Sequence, residues 1–134
     1  MTFDWNNLYS LAEYLSSNCD DLNADECIDR EATFRTIINR AYYAAYNVSN
    51  QYVLKTFGKL SDGDGGLHAR LIKTFQEFKD ENINYENIAV KLNRIKSHRI
   101  NADYKEKFQN GPPSYAATIA MKTSQDIISS INSL

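Results

Sequence analysis

The sequence has few of the residues that disulfide frameworks, metal sites and membrane spans require. Its two cysteines, Cys19 and Cys27, match neither a zinc pattern nor a disulfide framework. Its two histidines, His68 and His98, lack the Glu-x-x-His or His-x-x-x-His spacing of helical metal sites, so we expect no metal and no cofactor. No apolar run approaches the ~20 residues of a membrane helix, and the first residues, MTFDWNN, do not resemble a signal peptide. We therefore expect a cytoplasmic protein without a membrane partner.

The net charge of −2 conceals an uneven distribution of charge along the chain. Residues 1–31 contain eight acidic residues and one basic residue. Residues 91–107 contain six lysines and arginines against two acidic residues. Such a basic segment can face a polyanion or form an ordinary solvated helix surface, and the charge pattern alone favours the solvated surface.

Hydrophobic periodicity predicts helices throughout the chain. A first helix, with Asp4 as N-cap, ends at residues 16–18, and the acidic stretch that follows, residues 19–25, is predicted to be a loop. A long second helix is predicted from about residue 26 to Phe57, where Gly58 ends it. Its apolar positions recur in steps of three and four: Phe34, Ile37, Ile38, Ala41, Ala45, Val48 and Tyr52.

Three further helices complete the predicted fold. A third helix carries Leu67, Leu71 and Phe75 on one face, and a fourth runs from about Tyr85 to Lys107. The sequence GPP at 111–113 separates the fourth helix from a last one that Ser114 is expected to cap. No alternating strand pattern is present, so we predict that residues 1–134 form one all-α domain, an up-and-down bundle of about five helices.

The fourth helix carries a charged residue within its apolar stripe. Ile88, Leu92, Ile95 and Ala102 follow a helical period, and Arg99 occupies the position between the last two. Burying a guanidinium is costly without a partner, and Asp103, four residues later, is placed to pair with it. Two interpretations carry about equal weight: a structural ion pair, or a functional arginine held in a cleft.

Arginines and tyrosines dominate the remaining candidate residues of the second and fourth helices. The second helix contributes Arg35, Asn39, Arg40, Tyr42, Tyr43 and Tyr46, and the fourth contributes Arg94, Lys96, His98, Arg99 and Tyr104. Clefts rich in these residue types bind phosphates and stacked bases. Protein interfaces favour the same residue types, so composition alone leaves both possibilities open.

Two segments resemble the HEPN-domain family. FRTIINRAYYAAYNVSNQYV, residues 34–53, is similar to the arginine-rich second helix of that family, and RINADY, residues 99–104, is similar to the Arg-x-x-Ala-Asp-Tyr segment of its fourth helix. The order of segments also agrees, including the glycine-rich turn before His68 in Gly65-Gly66-Leu67-His68. The resemblance covers nearly the whole chain.

The resemblance implies a helical bundle that forms a homodimer through the Arg99 helix. In active members an arginine, followed four to six residues later by a histidine, forms a metal-independent ribonuclease site shared by both subunits. Many members belong to toxin–antitoxin or antiphage systems, so RNA and an antitoxin or larger effector protein are the expected partners. The resemblance assigns catalysis to Arg99, Asn101, Asp103 and Tyr104, and RNA binding to Arg40, Arg94, Lys96 and His98.

The sequence departs from the family pattern at the histidine position, where Tyr104 stands. A tyrosine hydroxyl can donate a proton to a leaving oxygen, but it is a poor base at neutral pH. Three functions therefore follow from the sequence: a ribonuclease, a relative that binds RNA without cutting it, or a non-catalytic interaction module in which Arg99–Asp103 is structural.

Overall fold

All regular secondary structure in the described part of the chain is helical. The structure is a computed structural model that describes residues 3–20 and 29–134. Five helices lie in these ranges: α1 (Asn6–Ser17), α2 (Arg30–Phe57), α3 (Leu67–Glu77), α4 (Ile83–Tyr104) and α5 (Pro113–Asn132). The predicted all-α helical bundle is confirmed. None of these helices combines the length and the apolar character that crossing a bilayer demands.

The longest apolar seam of the sequence forms the longest helix, α2. Asp29 caps its start by accepting a hydrogen bond from the Ala32 amide at 2.9 Å, and Gly58, with φ of 83°, ends it in the left-handed conformation that glycine adopts readily. Most of the predicted seam is buried in the core, namely Ile37, Ile38, Ala41, Ala45 and Val48. Phe34 and Tyr52, at its two ends, are half-buried against the same core.

α2 is the central helix of the bundle. It packs against each of the other four helices, whereas α1 contacts only α2 and α5, and α3 contacts only α2 and α4. α1 and α3 do not contact each other, so none of the described helices covers the strip of α2 that lies between them. This strip carries Arg40, Tyr43 and Asn47, which are half-buried and polar.

Several predicted helix limits are wrong by two to four residues. α2 begins at Arg30, because Asp29 takes the N-cap position, although part of the predicted start lies outside the described residues. α4 begins at Ile83, where Asn82 accepts from the Asn84 amide at 2.9 Å, and it ends at Tyr104 instead of Lys107. The predicted cap of the last helix by Ser114 is also wrong: Pro112 is the N-cap and Pro113 opens the helix, where a missing N–H costs nothing.

The N-terminal predictions have a mixed outcome. The Asp4 carboxylate accepts from the Asn6 amide at 3.0 Å, although Trp5 is the residue at the cap position of α1. Leu11, predicted on the apolar face, is 44% exposed. Cys19 is buried, and residues 19–20 are helical, so the predicted loop is wrong at these two positions. Cys27 and the rest of the predicted loop, 21–25, lie outside the described residues.

Candidate functional site

Arg99 is the centre of a polar cluster between α4 and α2. Its side chain is only 15% exposed, and its Nε donates to Asp103 Oδ2 at 2.8 Å, which confirms the predicted pair. Its Nη2 donates to the hydroxyl of Tyr43 at 2.9 Å and to the hydroxyl of Tyr104 at 3.1 Å. Three hydrogen bonds therefore fix the guanidinium in one orientation.

Three tyrosine rings surround this guanidinium. Arg99 Cζ lies 5.1 Å from the ring centroid of Tyr104, 5.3 Å from that of Tyr43 and 5.7 Å from that of Tyr42. These distances are within the range of cation–π attraction. Burial alone would lower the pKa of Arg99, but Tyr43, Tyr104 and Asp103 outweigh it and raise the pKa. Arg99 therefore stays charged at any physiological pH.

Asp103 connects the arginine cluster to a second arginine on α2. Asp103 Oδ2 accepts from Asn39 Nδ2 at 2.9 Å, and the Oδ1 of Asn39 accepts from Arg40 Nε at 2.8 Å. Among the described residues no carboxylate lies within ion-pair distance of Arg40. Arg40 is therefore a cation without an ion-pair partner in the described part of the chain.

His68, at the start of α3, joins the cluster from a third helix. Its Nδ1 shares a hydrogen bond with the Tyr42 hydroxyl, and its ring stacks on Tyr46 with centroids 4.1 Å apart. Burial, and after it the charges of Arg99 and Lys96, lower the pKa of His68 below its ordinary value. His68 is therefore a neutral imidazole at pH 7, beside two cations.

Tyr42 fixes the orientation of the His68 ring. Its side chain is almost fully buried, and burial raises the pKa of Tyr42 against the opposing effect of Arg99. The hydroxyl consequently keeps its proton at neutral pH. No hydrogen bond joins the Nε2 of His68 to the described residues.

Two surface clefts flank this cluster on either side of Arg40. The larger, of about 530 Å³, is lined by Phe3, Trp5 and Leu8 from the N-terminal segment and by Arg40, Tyr43 and Asn47 from α2. The smaller, of about 420 Å³, is lined by Leu11, Arg35, Thr36, Asn39, Arg40 and Asp103. The cluster therefore opens to solvent beside two concave surfaces.

The structure brings some of the sequence-predicted site residues together and separates others. Arg99, Asp103 and Tyr104 contact one another, Arg40 joins them through Asn39, and Lys96 acts electrostatically on His68 in the same cluster. At about 100° per residue, Arg94 and His98 lie on the opposite side of the buried Ile95 position from Arg99. Burial and then Arg94 lower the pKa of His98.

Asn101 is turned away from the Arg99 cluster. Its Nδ2 donates to the Gln109 carbonyl at 2.7 Å, and its Oδ1 accepts from the Gln109 amide at 3.1 Å. Both polar groups of this amide therefore hold the segment that follows α4. Asn101 therefore stabilises the turn after α4 and does not contact the Arg99 cluster through its side chain.

Two residues with clear structural contacts, His68 and Arg35, were not among the residues assigned to catalysis or RNA binding, although Arg35 was one of the candidate arginines of the second helix. The glycine-rich turn before His68 was part of the family resemblance, but nothing in the sequence indicated that its ring packs on Tyr42 and Tyr46. Arg35 Nη1 donates to the carbonyls of Ala102 at 2.8 Å and Lys105 at 2.7 Å. These carbonyls are at the end of α4, where the helix leaves acceptors without intrahelical partners.

Comparisons with known proteins do not assign the chain to a family. Scans of protein-family models, of curated proteins and of solved structures each return no match. Among the described residues, no three of the His, Cys, Asp and Glu side chains are grouped so that they could hold a metal ion.

Proposed function

We propose that this chain is a HEPN-like protein that binds RNA through Arg99 and cleaves it without a metal ion. The proposal includes a homodimer formed through α4, a cytoplasmic location, and a role in a toxin–antitoxin or defence system with an antitoxin or effector partner. The observation that carries it is a neutral histidine, His68, beside the fixed guanidinium of Arg99. A near-neutral proton acceptor and a positioned cation are the two groups that RNA cleavage by its own 2′-hydroxyl requires.

The proposed reaction assigns one task to each group of the cluster. The 2′-hydroxyl attacks the neighbouring phosphorus, and His68 Nε2 takes the hydroxyl proton while Nδ1–H donates to Tyr42. The bond from phosphorus to the 5′-oxygen breaks, and Tyr104 donates its proton to that oxygen. Arg99 stabilises the negative charge of the phosphorane, and the products are a 2′,3′-cyclic phosphate and a 5′-hydroxyl.

The net positive charge of the cluster favours the binding of an anionic ligand. Lys96, Arg99 and Arg40 bring three positive charges to the cluster, and Asp103 is the one carboxylate bonded within it among the described residues. A surplus of fixed cations in a partly buried site attracts phosphate groups. The exposed ring of Tyr104, at 68%, keeps the cluster accessible to a large ligand such as RNA.

The test is incubation of the purified protein with total RNA and a tRNA pool in EDTA. We expect cleavage with cyclic-phosphate ends, reduced about 100-fold or more in Arg99→Ala and in His68→Gln. Arg30→Ala is the matched control, because Arg30 is an exposed arginine at the start of α2, away from the cluster. RNA binding without any cleavage would leave the RNA-binding relative, and neither binding nor cleavage would overturn the proposal.

A non-catalytic interaction module is the second candidate, favoured by the bonds that Arg99 makes. Arg99 and Asn39 share Asp103, so this carboxylate connects α4 to α2. If that is the main role of Arg99, Arg99→Ala should lower the free energy of unfolding by roughly 3–5 kcal/mol, since it removes the charged partner of Asp103. Size-exclusion chromatography of the same variant would show whether a dimer is lost with it.

A further inference from the structure

We propose that the cleft between the N-terminal segment and α2 is a nucleobase subsite, which holds one base of a single-stranded RNA next to the Arg99 cluster. The inference rests on the proposed function and extends it to how the substrate is held. The cleft has a volume of about 530 Å³, within the range of small-molecule sites. It is large enough for one nucleobase and its ribose.

One wall of the cleft offers aromatic surface for stacking. Phe3, Trp5 and Leu8 form this wall, and the rings of Phe3 and Trp5 meet edge to face with centroids 4.9 Å apart. In this arrangement the ring that presents its edge keeps both of its faces clear of the other ring. Stacking on aromatic rings holds bases without regard to sequence, because every base has a π-face.

The floor of the cleft offers polar groups at positions that suit a nucleotide. Asn47 Nδ2 donates to the Tyr43 carbonyl at 2.8 Å, whereas its Oδ1 accepts no hydrogen bond from the described residues. This oxygen can accept a hydrogen bond from a base. Arg40, which forms no ion pair with a carboxylate among the described residues, lies at the same floor and is suited to the phosphate.

Tyr43 makes the cleft continuous with the Arg99 cluster. Its ring lines the cleft, and its hydroxyl accepts from Arg99 Nη2 at 2.9 Å. A base in the cleft therefore lies one tyrosine ring away from the arginine proposed to bind the scissile phosphate. An apolar wall combined with an unneutralised arginine favours a nucleotide over an uncharged ligand.

The chain provides its own probe, because Trp5 is its only tryptophan. We would titrate the full chain with adenosine 5′-monophosphate and with ribose 5-phosphate while following tryptophan fluorescence. N-acetyltryptophanamide corrects for light absorbed by the nucleotide. We expect saturable quenching by the nucleotide and none by the sugar phosphate, with the nucleotide affinity reduced about tenfold in Arg40→Ala and unchanged in Lys122→Ala, an exposed lysine on α5.

RNA affinity tests the same subsite independently of the quenching. We expect Trp5→Leu to weaken binding of a labelled single-stranded RNA at least about fivefold, the lower end for loss of a stacked base, and Trp5→Phe to restore most of it. Far-ultraviolet circular dichroism of both variants checks that the total helix content is unchanged.

The outcomes separate this inference from the proposed function. RNA binding without nucleotide quenching, and with Trp5→Leu unchanged, would overturn the subsite and leave the proposed function standing. Nucleotide quenching in the absence of any RNA binding or cleavage would overturn the proposed function and the assignment of the base to RNA, and would leave a cleft for a free nucleotide. Equal quenching by ribose 5-phosphate would show that only the phosphate is held, and the nucleobase assignment would then be wrong.

Discussion

The guanidinium of Arg35 on α2 donates to the carbonyl of Ala102 on α4 at 2.8 Å, across 67 positions of sequence. Further bonds reach Lys105 O at 2.7 Å and Glu106 O at 3.2 Å, and the Phe108 ring lies 5.2 Å from Arg35 Cζ. A cation at this place also offsets the negative end of the helix dipole. One side chain from the central helix therefore caps the helix that carries Arg99.

We expect Arg35→Ala to lower the free energy of unfolding by about 2–3 kcal/mol, because several carbonyls lose a charged donor. Arg35→Lys should recover only part of this loss, since an ammonium group cannot reproduce the planar fork of donors. Urea denaturation measures both changes. Arg30→Ala is the control, with an expected change within about 0.5 kcal/mol; an equally small change in Arg35→Ala would show that the cap contributes little.

The salt dependence of RNA affinity should report the cationic cluster directly. Each phosphate contact on a single strand contributes about −0.7 to the slope of log affinity against log salt. We expect Arg99→Ala and Arg40→Ala each to make the slope shallower by about that amount, and Lys122→Ala to leave it unchanged. Fluorescence anisotropy with a labelled RNA at several salt concentrations gives the slopes. Identical slopes in all four proteins would place the phosphate contacts elsewhere.

Stability should fall as the pH decreases below neutrality, because burial lowers the pKa of both histidines in the folded state. The unfolded chain then binds more protons than the folded one between the lowered folded pKa and the ordinary value of about 6.5, so stability rises with pH in that window. The groups that act on His68 are Arg99 and Lys96 of α4, with Tyr42 and Tyr46 of α2 packed against its ring.

The variant His68→Gln removes the contribution of His68 to the pH dependence of stability and leaves that of His98. We expect urea midpoints at pH 7.5, 6.5 and 5.5 to decline less steeply in this variant than in the wild type, with His98 accounting for the rest. The reverse sign, a decline that is steeper in His68→Gln than in the wild type, would mean that a neighbouring carboxylate controls His68.

Ser49 is a buried side chain whose hydroxyl has no hydrogen-bond partner in the described part of the chain. It is fully buried within α2, so the unpaired hydroxyl costs free energy without a compensating bond. We expect Ser49→Ala to raise the free energy of unfolding by about 1 kcal/mol, measured by urea denaturation. Ser124→Ala provides the contrast, because Ser124 Oγ donates to the Ala41 carbonyl at 2.7 Å and its removal should destabilise. Destabilisation by both substitutions would refute the assignment for Ser49.

Features that depend only on neighbouring positions along one helix could be predicted from the sequence. The apolar period located the seams of α2 and α4, and the spacing of four residues gave the Arg99–Asp103 pair. Helix limits were less accurate, because Asp29, Asn82 and Pro113 decide them through local capping that competes with the period.

Contacts between side chains of different helices could not be predicted from the sequence. His68 meets Tyr42 across 26 positions, and Asn39 meets Asp103 across 64. Periodicity describes which face of a helix is apolar, but it contains no information about which side chain of another helix lies opposite. The same limit explains Asn101, whose side chain is engaged by Gln109 after the helix turns.

A ligand in the larger cleft would stabilise the docking of α1, which has few neighbours among the described helices. In the described part of the chain, α1 packs on α2 and α5 alone, and the larger cleft lies between its N-terminal end and α2. A molecule bound there bridges the two elements, so its binding free energy adds to the free energy that keeps α1 docked. Backbone amides of α1 should then exchange with deuterium more slowly as the ligand concentration rises, while amides in the middle of α2 respond only through global unfolding.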